Sequence, residues 1–384
     1  MRTTAALTAA VLWLAGMAGV ATAQTLTPDA GEGLVTPDTV ALDVHSGGRL
    51  LEGAFAKGQG KDEVDGLAFI HQWPGVYFES AFHGTDVILR FNDDANHYDL
   101  IVDGQAPLAV TRPGASEIRL SGLADSDHTI RLEKTSESQA ATGEFDGFFI
   151  PPGEGALPVP EHARSMEFIG DSYTVGYGNT STTRTCSQDE IWATTDTSQA
   201  FAPQVAKHYD ADYQINAYSG RGIVRNYDGV VPGEPLPALY GSTLLDTGGP
   251  QYDVTDWTPQ VVVIALGGND FSTPVHATGE KWHSLEALRA DYIASYLAFV
   301  RQVRQQQPDA MIVLMSYHDA EVVADIAEVA AKLKAGGDDR IDTLDIAAPL
   351  AKTGCDWHLS TADDKVVADA LIAAIDSHAD AWGE

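Results

Sequence analysis

Three short stretches of this chain combine the residue types that acyl transfer requires. Gly170-Asp171-Ser172 offers a hydroxyl nucleophile, and Gly267-Gly268-Asn269-Asp270 offers a side-chain amide. Gly354-Cys355-Asp356-Trp357-His358 offers an imidazole with a carboxylate two residues before it. In such chemistry the imidazole takes the serine proton and a carboxylate orients the ring. Fixed N–H donors then hold the charge that develops on the carbonyl oxygen. Each stretch alone has an ordinary alternative. Serine caps helices, Gly-Asn-Asp runs make turns, and one of 12 histidines can simply sit on the surface.

The elements around these stretches give them a common location. Met166 to Ile169, Tyr213 to Tyr218, Val261 to Leu266, Met311 to Met315 and Ile341 to Leu344 are short apolar runs of the kind found in buried parallel strands. Between them lie helical patterns. The clearest starts near Ser284, carries Leu288, Tyr292, Leu297, Val300 and Val303, and stops at Pro308. A last helix is expected from about Ala362 to Ile375. Residues 166–384 therefore read as a doubly wound α/β domain with a parallel sheet, which binds ligands at the carboxyl ends of its strands. Ser172 follows the first run and Asn269 a central one, while His358 comes after the last.

Residues 40–150 have a different rhythm. Val87, Leu89 and Phe91 alternate with Ile88 and Arg90, Leu100 and Val102 precede an Asp-Gly turn, and Ile130 and Leu132 alternate with Thr129 and Arg131. Short alternating strands without helices predict an all-β jelly-roll sandwich. Trp73, Tyr77 and Phe78 in this part either bind a ligand or pack. Residues 24–39 and 151–165, polar or proline-rich, read as linkers.

Residues 1–23 have the form of a cleavable export signal: Arg2, an apolar stretch from Ala5 to Val20, and Ala21-Thr22-Ala23 before Gln24. A secreted or periplasmic chain follows, and no later run is long enough to span a membrane. The formal net charge of −32 argues against nucleic acid and anionic membrane as partners. Cys186 and Cys355 are the only cysteines. In an exported chain such a pair reads as a disulfide. Two cysteines cannot complete a zinc site alone, and no HExxH or EF-hand pattern is present, so no metal is expected.

The motifs in the order Ser, Asn, His resemble the SGNH (GDSL-like) hydrolase superfamily. Within it, Gly170-Asp-Ser-Tyr-Thr-Val-Gly-Tyr-Gly-Asn179, Thr197-Ser198, Val261 through Ser272 and the cysteine-preceded Asp-x-His are similar to carbohydrate esterase family 2, the acetyl xylan esterases. That family joins a jelly-roll domain to an SGNH domain. The resemblance implies Ser172 as nucleophile, His358 as base and Asp356 as its orienting acid. The superfamily usually places that acid three residues before the histidine, where this chain has Cys355. Some members use a backbone carbonyl instead. It also implies an oxyanion hole made by the N–H groups of Ser172 and Gly220 (Gly222 being the alternative) and the Asn269 amide. The implied activity is removal of acetyl groups from plant-type polysaccharides or oligosaccharides, xylan first, with no metal or organic cofactor. Trp357 would then be a wall for a sugar ring, or else a core residue. Rival readings are a lipase, thioesterase or arylesterase on the same scaffold, or a secreted glycan-binding protein without activity.

Overall fold

The computed structural model describes residues 25–29, 33–54, 67–139, 141–245, 249–276 and 278–383. The expected export signal lies outside them. Among the described residues, no helix is long and apolar enough to cross a membrane.

The amino-terminal part is an antiparallel sheet of 11 strands folded over itself into two layers. Two long strands, Tyr77–Asp93 and Gly114–Lys134, make the fold possible by running through both layers. Their pairing breaks register between Gly84 and Asp86, and a bulge there bends both strands. In one layer their first and last parts pair and extend to His97–Val102 and Leu108–Thr111. In the other, Ile88 to Phe91 pairs with Gly143–Ile150, which pairs in turn with Leu67–His71. The layers are joined by aromatic contacts such as Phe78 on Phe145, 4.7 Å between ring centres, and Phe91 on Tyr98, 5.6 Å. Trp73, Tyr77 and Phe78 are fully buried and serve packing.

Two segments read as linker contribute strands. Thr25–Asp29 pairs with Glu117 to Ser121, and Gly155–Leu157 pairs with Ala81 to His83. Their sequences carry no strand pattern; each satisfies an edge of the long strands that would otherwise be unpaired.

The carboxyl-terminal part is a five-stranded parallel sheet in the order Ala211–Ala217, Arg164–Gly170, Val261–Ala265, Met311–Ser316, Ile341–Asp345. Side chains alternate between its faces. Val262, Ile264, Ile312 and Leu314 pack on Tyr296, Val300 and Ile326 of helices Leu285–Gln306 and Ala320–Ala335. Val261, Val263 and Val313 pack on Phe201, Val205, Val367 and Leu371 of helices Phe201–His208 and Thr361–Asp376. Ser284 starts its helix by accepting from the Ala287 N–H at 3.1 Å. The sheet is doubly wound, and the chain switches direction between Arg164–Gly170 and Val261–Ala265. The crevice at the carboxyl ends of those two strands is the expected ligand site.

The two parts share one continuous apolar cluster, from Phe78 and Phe148 to Tyr240, Ile264 and Tyr296. A buried polar seam crosses the same boundary. Arg49, 1 % exposed, donates to Glu167 at 3.1 Å, and Asn216 and Tyr240 donate to the same carboxylate at 2.6 and 2.8 Å. Glu167 lies on the strand that leads to Ser172.

Candidate active site

Ser172 opens a helix of four residues, Ser172–Val175, directly after strand Arg164–Gly170. Asp171 caps that helix by accepting from the Tyr173 N–H at 3.1 Å. As the first helical residue, Ser172 has an N–H without an intrahelical partner.

His358 reaches this hydroxyl from the far end of the domain. The Ser172 Oγ–H donates to His358 Nε2 at 2.8 Å. On the other side of the ring, Nδ1–H donates to the Cys355 carbonyl at 2.9 Å. A carbonyl can only accept, so the proton sits on Nδ1 and the lone pair of Nε2 faces the serine. Burial, the largest cause, lowers the imidazole below its ordinary range, with Lys352 acting in the same direction; the carbonyls of Cys355 and Asp356 and the Asp356 charge oppose this. The Tyr177 ring lies 4.3 Å from the imidazole centre and the Tyr173 ring meets it edge-on at 5.3 Å. These two tyrosines hold the ring and were not singled out from sequence, although both belong to the Gly170–Asn179 stretch.

Asp356 does not hold Nδ1. Its backbone is left-handed, φ 50°, where an extended stretch would have pointed it at His358. Its carboxylate instead accepts from the Tyr177 hydroxyl at 3.1 Å. Trp357 is also left-handed and is 61 % exposed, so it is not a core residue; it lies outside the set lining the cleft.

A disulfide joins Cys186 to Cys355 and ties the histidine loop to the segment after the nucleophile. Gly178 permits the approach. A Cβ there would stand 2.4 Å from the Cys355 Cβ, and the Gly178 carbonyl accepts from the Cys355 N–H at 3.2 Å. Asp356 N–H to the Arg184 carbonyl, 2.7 Å, adds a second tie.

Asn269 follows the neighbouring strand Val261–Ala265. Its amide donates to Asp171 Oδ2 at 3.1 Å and to the Arg221 carbonyl at 2.9 Å. Asp270, quoted in the motif but given no role from sequence, is fully buried and accepts from the N–H groups of Ile223, Val224 and Arg225 at 2.8–2.9 Å. The Asn-Asp pair thus grips the loop that carries Gly220. Burial pushes the Asp171 carboxyl up to about 7 and Asp270 up to about 6. Gly220 has φ 82°, and apart from its chain neighbours the nearest atom to where its Cβ would be is the Tyr227 Cβ at 3.9 Å, so its face is open. It lies beside the cleft rather than in its lining, and its carbonyl accepts from the lining residue Tyr227. Gly222 is crowded by the Arg225 carbonyl and Asp270, and so offers no comparable opening.

These groups surround a cavity of about 290 Å³ whose lining includes Ser172, Tyr173, Tyr227, Asn269, Lys352 and His358. It holds what acyl transfer needs: a hydroxyl on a neutral base, and N–H donors beside it.

Residues 62–160 match the family described as Carbohydrate esterase 2 N-terminal, and residues 168–374 match the GDSL-like Lipase/Acylhydrolase family. An acetylxylan esterase / glucomannan deacetylase of Cellvibrio japonicus (strain Ueda107) is 41% identical over 346 residues, which cover 90% of this chain and 93% of that protein. One solved structure, of a carbohydrate esterase whose active site has divergent catalytic and non-catalytic binding functions, has a TM-score of 0.82 and 40% identity. It covers 89% of this chain and 100% of that one. A family two carbohydrate esterase from Clostridium thermocellum, in complex with cellohexaose, has a TM-score of 0.72 and 27% identity, covering 87% and 98%. The chain belongs to carbohydrate esterase family 2, carboxylic ester hydrolases that join a GDSL-like domain to an all-β domain.

Proposed function

We propose that the protein is a secreted serine esterase that removes acetyl groups from acetylated plant polysaccharides and oligosaccharides, with xylan as the first substrate to test. The observation that carries this reading is the Ser172–His358–Cys355 relay, in which Nδ1 is anchored on a carbonyl and Nε2 accepts from the nucleophile. The acetylxylan esterase relative supports the substrate class. The sequence pattern of residues 1–23, that of an export signal, supports secretion.

His358 accepts the Ser172 proton as Oγ bonds to the acetyl carbonyl carbon, and the carbonyl electrons move onto oxygen. The N–H groups of Ser172 and Gly220 and the Asn269 amide donate to that oxyanion. The Asn269 bond to Asp171, the longer of its two, is the one a substrate oxygen would share. Collapse expels the sugar oxygen, which takes the proton from His358. Water then repeats the sequence on the acetyl-serine and releases acetate. Asp356, turned to Tyr177, contributes its charge rather than a bond to the ring.

The test follows acetate release by NMR from acetylated xylan and mannan oligosaccharides, with wild-type protein and Ser172→Ala. Acetate from wild type and none from the variant is expected. Wild-type-like release by Ser172→Ala would overturn the mechanism, and activity on long-chain acyl esters alone would overturn the substrate class.

A further inference from the structure

On the opposite side of the seam from the cleft, side chains from both domains converge. His45 and Glu79 are direct cross-strand partners in the sandwich. His162 sits just before strand Arg164–Gly170, and Asp212 lies on strand Ala211–Ala217. One donor atom from each of His45, Glu79 and His162 lies within 4.8 Å of the others. His162 Nε2 is 2.9 Å from Glu79 Oε2, and His45 Nε2 is 3.2 Å from Asp212 Oδ2. Asp212 is not in line for a hydrogen bond, so His45 Nε2 is buried without a partner of that kind.

The far side of most of these groups is already held. Arg131 donates to the other Glu79 oxygen and Tyr77 to the other Asp212 oxygen. His162 Nδ1 lies 3.3 Å from the Asp210 carbonyl, an acceptor that calls for a proton on Nδ1. With that proton in place, the Nε2 lone pair points at a carboxylate oxygen. Two electron-rich atoms at 2.9 Å need a shared cation: a second proton on the line between them, or a metal ion bound to both from one side, which in a four-coordinate site spreads them slightly. Ligands whose outer atoms are fixed by carbonyls, arginine and tyrosine are the ordinary setting of a bound metal. Glu79, Asp212, Glu133 and Asp210 against Arg131 and Lys207 leave the cluster net negative when the imidazoles are neutral. Imidazole with carboxylate is a donor set for zinc and its first-row neighbours.

We propose that His45, Glu79 and His162, with Asp212 as a fourth ligand, bind one divalent first-row cation that clamps the sandwich onto the α/β domain. The His45 side chain, 26 % exposed, leaves the entry path. The ligands would close by small side-chain movements, since three of them come from strands or a strand start. The clamp is structural and separate from the Ser172 chemistry.

The chain has many acids and 12 histidines, so adventitious zinc uptake must be separated from this site. The full-length protein, stripped with a chelator, is titrated with Zn²⁺ by calorimetry and with Co²⁺ by visible absorption. Alongside it run His45→Ala, Glu79→Gln, His162→Ala and, as a control away from the cluster, Ser172→Ala. One equivalent of Zn²⁺ should bind and raise Tm, and Co²⁺ should give the intense bands of a four-coordinate site. Binding should weaken at least about tenfold in each cluster variant and not in Ser172→Ala. If a cluster variant misfolds, the partly exposed His45→Ala, checked by circular dichroism, decides. Equal zinc affinity and equal Tm gain in wild type and His45→Ala would overturn the proposal, as would no saturable binding. In either case a second proton on His162, not a metal, joins it to Glu79.

Discussion

Strand Arg164–Gly170 has a histidine near each end, and the two are held in opposite ways. At the amino end His162 faces the Glu79 carboxylate, and that hydrogen bond holds the imidazole up at about 9. At the carboxyl end His358 faces a neutral carbonyl, and burial lowers it. The carboxylate partner makes a resident cation or a ligand, which suits a clamp between domains. The carbonyl partner fixes the ring while leaving it neutral, and a base that must take a proton in each cycle needs that neutrality. The same division runs across the sheet. At the seam, charges such as Arg49 and Glu167 are locked in pairs. In the cleft, groups such as Asp171 are poised near neutrality.

Replacing each histidine tests this division most directly. His358→Ala removes the imidazole that accepts from Ser172, and kcat/KM should fall on the order of 10⁴-fold or more. His162→Ala should leave kcat/KM within about threefold, since the residue is outside the cleft, while lowering stability by about 1–3 kcal/mol. Both are read on one acetyl ester, with Tm measured in parallel. A catalytic loss in His162→Ala at a temperature where it is fully folded would dissolve the distinction.

The seam and the cleft should also separate at Arg49 and Asn269. Arg49→Ala leaves Glu167 buried with its charge uncompensated, and a loss of about 3–5 kcal/mol is expected with kcat preserved below the melting range. Asn269→Ala should weight the two effects the other way, lowering kcat by about 10²–10³ while losing about 1–2 kcal/mol of stability from its two buried hydrogen bonds. Denaturation curves and initial rates check the two. A large rise in KM with kcat intact would make Asn269 a substrate-binding residue instead.

The cleft was more legible than the seam because its residues follow strands. Ser172 and Asn269 each come after a buried apolar run, and parallel sheets bind ligands at that end, so position and chemistry agreed in a single reading. The helices were equally clear: a start at Ser284 and a last helix near Ala362 are within a residue of Leu285–Gln306 and Thr361–Asp376. The seam depends on register. His45 meets Glu79 because two strands distant in sequence pair at that residue, and His162 joins them only once the domains dock. No local pattern carries that. Asp356 was legible in type but not in direction. Its spacing puts a carboxylate near the histidine, whereas the disulfide and the Arg184 carbonyl hold this segment in a left-handed turn that points it at Tyr177.

That turn leads to the smallest effect and the finest test of how a carbonyl-anchored base works. Nδ1 is held by the Cys355 carbonyl, so Asp356→Ala leaves the ring oriented, and kcat/KM at its optimum should fall less than about tenfold. The charge is still felt. Asp356 raises the His358 imidazole, and Lys352, whose ammonium lies over the Tyr173 ring, lowers it. In the proposed mechanism the neutral ring is the active form, so activity is lost as pH falls through its pKa. Because burial has already lowered that pKa, the acid limb of kcat/KM should lie below 6.5, the ordinary histidine value. Removing Asp356 removes a raising influence, and the limb should move to still lower pH. Lys352→Ala should move it upward. Cys355, Tyr173, Tyr177 and Ser172 also face the ring and are unchanged in both variants, so opposite shifts would isolate the two charges. A pH–rate profile for wild type and both variants decides it. If Asp356→Ala instead lost as much activity as His358→Ala, with no shift of the limb, the carboxylate would have to turn from Tyr177 to Nδ1 during the reaction.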